Sequence, residues 1–412
     1  MFATVETPAA QTTATTSGRL ISLDVFRGAT IASMMLVNNP GTWSAVYPPL
    51  EHSPWHGWTF TDTIFPFFLW IVGVAIPLST SRRLEAGQSQ AELFRHALRR
   101  AVIIFGLGFF LNSLLFFIDG SMAKLGFGPW LHEYLTTVRI PGVLQRIAIC
   151  YLIAFAIFLR TSIRGQAIWT GIFLVGYWLL MAFAPFPVDV HGETRWISGV
   201  LEKGANFSAY IDNLLLNGPT IGMHVFKGGR TWDPEGTVST LPAIATCLFG
   251  ILAGHLLRTK RSDAEKTAWF TVGGAVLMWL GLLMDLALPI NKYLWTSSYS
   301  VFMAGLAMVC FGVYYWLIDV QGRRAWAKPL AIYGMNAIAL FVLSGVIGRI
   351  MLAVKISTGP ETSTNLQAWL FNKFFLPLGS PINASLVWAI VYVLALYLVA
   401  WGMYRKKWFV KF

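Results

Sequence analysis

Ten apolar stretches of about twenty residues punctuate this chain, at residues 20–39, 60–80, 101–118, 141–160, 167–185, 239–257, 267–287, 297–318, 329–349 and 384–404. A helix of that length matches the ~30 Å hydrocarbon core of a bilayer. Lipid offers no hydrogen bonds to the backbone, so such stretches satisfy their own polar groups as helices. The composition agrees: 56% hydrophobic, 15% aromatic and only 12% charged, against about 25% charged in soluble domains. Mean hydropathy is +0.59. The expected fold class is an all-α integral membrane protein of about ten transmembrane helices, which excludes a disordered chain, a disulfide scaffold and an ordinary cytosolic enzyme. Cys150, Cys247 and Cys310 all fall in apolar runs and read as core filler.

The net charge of +12 is a topology signal before it is a partner signal. An even number of spans puts both ends on one side. With that side inside, nineteen of the 31 Lys and Arg lie in short inner segments, ten lie in outer segments about twice as long in total, and Arg27 and Arg146 lie within spans. Positive-inside bias then predicts N-in, C-in, and no nucleic-acid partner is expected. Residues 1–18, polar and rich in Thr and Ala, read as a disordered cytoplasmic tail and not as a signal peptide. Residues 19–404 form one transmembrane domain, and 405–412 a basic cytoplasmic C-terminus. The longer outer loops, rich in Trp, Pro, Gly and His, are where chemistry is expected. Residues 365–376 read as an interfacial amphipathic helix.

Polar residues inside or beside apolar spans are costly and mark function or a compensating partner. Asp24 and Arg27, three apart, share one helix face; they form a local ion pair or open a vestibule in which the guanidinium meets a phosphate. Asn38 precedes Asn39-Pro40, where the helix must stop, and either caps it or projects into an outer cavity. His52 and His56 flank Pro54, which argues against a helical metal pair, and no Cys or carboxylate cluster completes a ligand set; no metal is expected. Asp62, in the first turn of the second span, either complements the helix dipole or fixes the tautomer of His52 for general-base work. Arg139, Gln145 and Arg146 lie in VRIPGVLQR, and Arg146 is a span-embedded charge that indicates a polar cavity or ligand. Asp233 and Glu235 in WDPEG stabilise their loop or contact substrate. Asn336 is a buried polar group that needs a partner, and Asp285 closes the seventh span.

Eight motifs in order, SLDVFRG, VNNPG, HSPWHGWTFTDTIFPFFLWIVG, VRIPGVLQR, YIDNLLL, WDPEGTVST, NKYLWTSSY and YGMNAIALF, resemble the lysosomal heparan-α-glucosaminide N-acetyltransferase family and its bacterial inner-membrane relatives over about residues 19–345. The resemblance implies a transmembrane acyltransferase that takes acetyl from cytosolic acetyl-CoA and delivers it to the amino group of glucosamine or a related amino sugar across a bacterial inner membrane. It matches the family's essential histidine to His52 and the neighbouring asparagine to Asn38, with Asp62 beside them. It matches the family's basic positions to Arg27, Arg139 and Arg146, which are expected to meet the coenzyme together with Asp24, Gln145 and Asn336; Trp55, His56, Asp233 and Glu235 are the residues expected at the acceptor. The preceding lumenal domain of the lysosomal enzyme is not expected here, which argues against heparan sulfate as substrate. His56 replaces the family's Asn after Trp, leaving the acceptor open. The oligomeric state stays open as well, a homodimer included.

Two mechanisms follow. In one, His52 deprotonates the amine, which attacks the thioester while Asn38 or a nearby donor holds the oxyanion. In the other, an acetyl-imidazole on His52 carries the group. Direct transfer is preferred because it needs no charged intermediate. An amino-sugar transporter and an envelope-glycan O-acyltransferase are the alternative functions.

Overall fold

A computed structural model describes residues 20–218, 222–226, 232–359 and 362–410; the expected tail at 1–18 lies outside them. Each of the ten apolar stretches is helical. They are α1 (Ile21–Asn38), α2 (Phe60–Glu85), α3 (Gln90–Ile118), α4 (Val143–Arg160), α5 (Ile163–Phe183), α6 (Thr240–Arg258), α7 (Asp263–Asp285), α8 (Ser297–Tyr315), the pair α9 (Lys328–Met335) and α10 (Ala337–Ala353), and α11 (Pro381–Arg405). Among the described residues, eight helices are long and apolar enough to cross a membrane, counting α8 with its continuation to Val320. The α9–α10 pair, bent by 78°, makes nine. Asp24, Arg27 and Asn38 lower the hydropathy of α1, which is nevertheless helical throughout and mostly buried. The protein is an all-α integral membrane protein.

Capping residues set several of these boundaries. Ser89 and Ser262 open α3 and α7 with capping boxes closed by Glu92 and Glu265, so orphan amides at both starts are paired. Asp62 does the same for α2 from Thr59. At the end of α1 the cap is Asn39, whose amide donates to Met35 O at 2.8 Å and Ser344 Oγ at 3.4 Å.

Between lipid-embedded helices the tail–tail hydrophobic drive is small, so close backbone approach has to hold the bundle. Two glycine contacts do this. A Cβ on Gly28 of α1 would lie 1.8 Å from Leu330 O, and one on Gly334 of α9 2.0 Å from Asp24 O. A Cβ on Gly73 of α2 would lie 2.0 Å from Cys247 O on α6, and one on Gly250 2.1 Å from Trp70 O. These contacts bring α1 to α9 and α2 to α6. By contrast α7 buries little beyond Phe270, Gly274 and Gly281, and leaves Trp269, Val272, Val276, Trp279 and Leu283 exposed, as a lipid-facing helix should.

Both described chain ends lie at one face, with Asn336 bonded to Trp408 and Val410. The opposite, loop-rich face carries the helices Phe127–Thr137 and Phe207–Leu216 and antiparallel hairpins such as Phe186–Val190 with Glu193–Ile197. Residues 366–378 are helical there, with Phe371 buried against Trp388 and over Gly41. This segment is therefore anchored on α11. Asp285 accepts from Ile290 N at 2.5 Å and leads the chain into the loop that carries residues 289–296.

Candidate active site

The second helix positions the first reactive pair. Asp62 is fully buried at its third position, where its Oδ2 accepts from the amides of Ser53 and Thr59, both at 3.0 Å, and from Thr59 Oγ1 at 3.2 Å. Its other oxygen faces His52 Nδ1 at 2.5 Å. A carboxylate there fixes Nδ1 as the protonated nitrogen and leaves Nε2 as the basic one. Of the two expectations for Asp62, the imidazole partnership is realised together with the cap. Asn38 is exposed at the end of α1 and takes no part in these bonds.

A second loop completes the pair. Gly57 N donates to Ile290 O at 2.7 Å and Gly57 bridges to Asn291, while the Asn291 amide meets His56 Nδ1 at 3.4 Å. This brings Lys292 Nζ to 3.3 Å from His52 Nε2. Burial holds the Lys292 ammonium below the ordinary lysine pKa, against the pull of Glu235 and Asp62. Beside it Trp55 stacks on Tyr293 with rings 5.6 Å apart and 15° from parallel, and Trp232 closes edgewise on both. Lys203 sits 5.9 Å from the Trp55 ring and 5.8 Å from the Tyr293 ring. Trp55 Nε1 is tied to Leu201 O at 2.8 Å. The result is a rigid aromatic wall next to a histidine and a lysine.

A charged network backs this wall. Arg139 donates to both oxygens of Asp233, at 2.8 and 2.6 Å, and to Glu235. Burial works against the Arg139 charge, but Glu235 and Asp233 more than restore it and its pKa rises. Burial likewise works against the Glu235 carboxylate, yet Arg139, Lys292 and Arg146 outweigh it and its pKa falls. Asp212 receives the Thr237 amide and hydroxyl at 2.7 and 2.8 Å, and burial still pushes it up to about 6. Gly236 is required between them, since a Cβ there would lie 2.0 Å from Asp212 Oδ2. Arg146, 1% exposed, donates to Gly236 O at 2.9 Å and to Ser239, and lies 5.2 Å from the Trp295 ring. Its Nε and Nη1 have no hydrogen-bond partner among the described residues. Gln145 donates to Ile140 O at 3.0 Å and shapes the turn before α4.

Toward the other face lies a cavity of about 1310 Å³. Asp24, Arg27 and Asn336 line it, as do Arg83, His96, Arg99 and Arg100. Arg27 pairs with Asp24 at 3.2 Å, and Arg100 lies over the Tyr151 ring at 5.1 Å. Asn336 occupies the break between α9 and α10; its amide donates to Trp408 O at 3.0 Å and its oxygen accepts from Val410 N at 2.9 Å. Phe409 and Val410 thereby form part of the cavity wall. Along α2 the lining runs from Phe68 to Arg83, about 22 Å at ~1.5 Å per residue. Asp62 lies six residues, or ~9 Å, beyond its upper end. The interval is closed by Ile31, Met34, Phe68, Val143, Leu144, Ile147, Ile338 and Phe341 around a void of only about 10 Å³.

The residues expected at the coenzyme thus divide. Asp24, Arg27 and Asn336 share the cavity, whereas Arg139, Gln145 and Arg146 do not line it and Arg139 and Arg146 meet the WDPEG turn. Of the residues expected at the acceptor, Trp55 reaches the His52 side through Tyr293, which lies edge-on to the imidazole at 6.1 Å, and His56 lies beside Trp55, while Asp233 is engaged by Arg139 and by the amides of Phe226 and Glu235. Lys292 and Tyr293 lie in the NKYLW motif, Trp232 in WDPEG and Lys203 in an outer segment, while Arg83, Arg99 and Arg100 belong to the inner basic segments; neither these nor His96 carries an individual signal in the sequence.

Comparison with known proteins gives the same family as the motifs. The family model described as "Heparan-alpha-glucosaminide N-acetyltransferase, catalytic" matches residues 19–296. Heparan-alpha-glucosaminide N-acetyltransferase of Homo sapiens is 28% identical over 364 residues, covering 79% of this chain and 52% of that protein. The Mus musculus protein of the same name is 27% identical over 372 residues, covering 81% and 54%. The chain spans about half the length of these curated relatives. With the family match covering most of the chain, it belongs to the heparan-alpha-glucosaminide N-acetyltransferase family, by the region that family describes as catalytic.

Proposed function

We propose that this protein is a transmembrane acetyltransferase that moves acetyl from acetyl-CoA, bound in the basic cavity, to the amino group of glucosamine or a related amino sugar held beside His52. The observation that carries the reading is the alignment of the two sites along α2. An arginine-lined cavity about 22 Å long ends ~9 Å below Asp62, with an apolar constriction between. Guanidinium groups suit the phosphates of a nucleotide, and the cavity length accommodates an extended acyl carrier. An apolar neck excludes water from the thioester and limits hydrolysis.

At the upper end His52 Nε2 takes the amine proton while Asp62 stabilises the imidazolium that forms. The exposed Asn38, relieved of the capping performed by Asn39, supplies a donor for the oxyanion. The stacked Trp55–Tyr293 pair offers an apolar face to a sugar ring, with His56 at its edge. The basic face is the cytoplasmic one in this reading, because the cavity mouth and the dense inner charges coincide. The membrane is a bacterial inner membrane, and direct transfer in a ternary complex is preferred over an acetyl-histidine.

Vesicles reconstituted with the protein test this. Labelled acetyl-CoA supplied at the basic face and glucosamine at the loop face should yield labelled N-acetylglucosamine. Counterflow of labelled sugar in the absence of acetyl-CoA would indicate a carrier instead.

A further inference from the structure

The His52–Asp62 pair explains how a proton leaves the acceptor amine and leaves open how one reaches the departing thiolate. Lys292 is the group placed to supply it. Its Nζ donates to His52 Nε2 at 3.3 Å, so the basic nitrogen of the histidine and the lysine ammonium already share a hydrogen bond. Its position is tightly set. The turn that carries it is pinned by Gly57 N to Ile290 O at 2.7 Å, by Leu294 N to the Asn291 side chain at 2.9 Å, and by Asn291 N to Thr296 Oγ1 at 3.1 Å.

Three residues on, Trp295 adopts φ of +49°, a region that a bulky side chain occupies only when its surroundings compel it. The compulsion is visible: the Trp295 ring is fully buried, edge-on to Phe65 at 4.8 Å and to Tyr299 at 5.4 Å, with Nε1 on Thr246. The strained residue thus sits in the same pinned turn as Lys292, and strain held in place by a core is found preferentially at functional turns.

We propose that Lys292 is the general acid of the transfer, a reading that rests on the acetyltransferase function above. Starting from the neutral amine, the nitrogen–carbonyl bond forms and the carbon–sulfur bond breaks. His52 Nε2 accepts the amine proton, and Lys292 gives an ammonium proton to the thiolate sulfur. The imidazolium proton then crosses the shared hydrogen bond to Lys292, which restores both groups and releases amide and free thiol. The charged groups around Lys292 serve this cycle. Asp62 and Glu235 favour its ammonium, whereas Arg139 and Arg146, with burial, oppose it, and Lys203 lies across the Tyr293 ring that both lysines face. A lysine in such surroundings gives up its proton more readily than one in water.

The test compares wild type with Lys292→Gln and Lys292→Arg, in detergent, using labelled acetyl-CoA and glucosamine from pH 6 to 10, with folding of each variant checked by gel filtration and coenzyme A binding. Both variants should lose about 100-fold in kcat with KM for acetyl-CoA changed less than ~3-fold. Arginine retains the charge but holds its proton at every pH used, so it should not rescue. The wild-type rate should fall on the alkaline side as Lys292 deprotonates, and that limb should vanish in both variants. A thioester of a more acidic thiol, such as S-(4-nitrophenyl) thioacetate, should restore both variants toward wild type. A Lys292→Arg protein with wild-type kcat, or variants equally slow with the acidic thioester, would overturn the proposal while leaving the acetyltransferase reading intact. An inert wild type would overturn that reading itself, and this one with it.

Discussion

Nδ1 of His52 lies 2.5 Å from Oδ1 of Asp62, ten residues further along the chain. The short segment between them folds back so that the same carboxylate also caps α2, and a single residue therefore starts the helix and orients the base. Replacing it should have two separable effects. Asp62→Asn keeps the shape but offers the imidazole a neutral partner, and kcat should fall by 10² or more, about the range of general-base contributions, with coenzyme binding unchanged. Asp62→Ala also strips the amides of Ser53 and Thr59 of their acceptor and should lower stability by about 1–3 kcal/mol, read as a lower Tm.

The Arg139–Asp233–Glu235 cluster should behave as a structural unit. Arg139→Gln removes a buried partner from two carboxylates, and breaking such a pair costs about 3–5 kcal/mol. Thermal melts of the detergent-solubilised protein should show a large drop in Tm, and Arg139→Lys should recover only part of it because the two-pronged geometry is lost.

Stability should depend on pH in two opposed windows. The Asp212 pKa is raised to about 6, so its stabilising protonated form is fully present below its ordinary value and lost as pH rises through 6; Tm should increase on acidification from pH 8 to 5. Glu235 is lowered, so the stability from its charged form is present above about pH 4.5 and is lost as pH falls through its folded value. Asp212→Asn should flatten the first slope and Glu235→Gln the second, both read from melts across pH 3–8.

The basic cavity makes a different demand. Arg99→Gln and Arg100→Gln should each weaken thermal stabilisation by coenzyme A, with KM for acetyl-CoA raised about tenfold, the equivalent of 1.4 kcal/mol. Ile338→Trp, which fills the neck, should preserve that stabilisation yet reduce kcat. Equal loss of both would show that the neck is not a passage.

Nine of the ten apolar stretches are legible as membrane spans by length and apolarity alone, and α1 is legible as a helix despite Asp24, Arg27 and Asn38. Ser89 with Glu92, and Ser262 with Glu265, mark two helix starts in the same local way. His52 and Asp62 were readable too, since their contact spans only ten residues. Lys292 was not: it reaches His52 across 240 residues, through a loop pairing that no local periodicity encodes. Arg99 and Arg100 read in the sequence as orienting charges, and only the packing of α3 against α4 and α10 turns that charge inward to a cavity. Arg139 and Arg146 illustrate the converse. The span position of Arg146 marks it for a polar partner, but the partners of the two arginines, Asp233, Glu235 and Gly236, lie 90 to 96 residues away, where no local pattern points to them.

The most direct test of the central claim is the rate at which purified wild-type protein and its His52→Ala variant transfer label from acetyl-CoA to glucosamine. Wild type should form N-acetylglucosamine, and His52→Ala should do so at least 100-fold more slowly while still being stabilised by coenzyme A. Equal rates in the two proteins, or no product from wild type, would contradict the account.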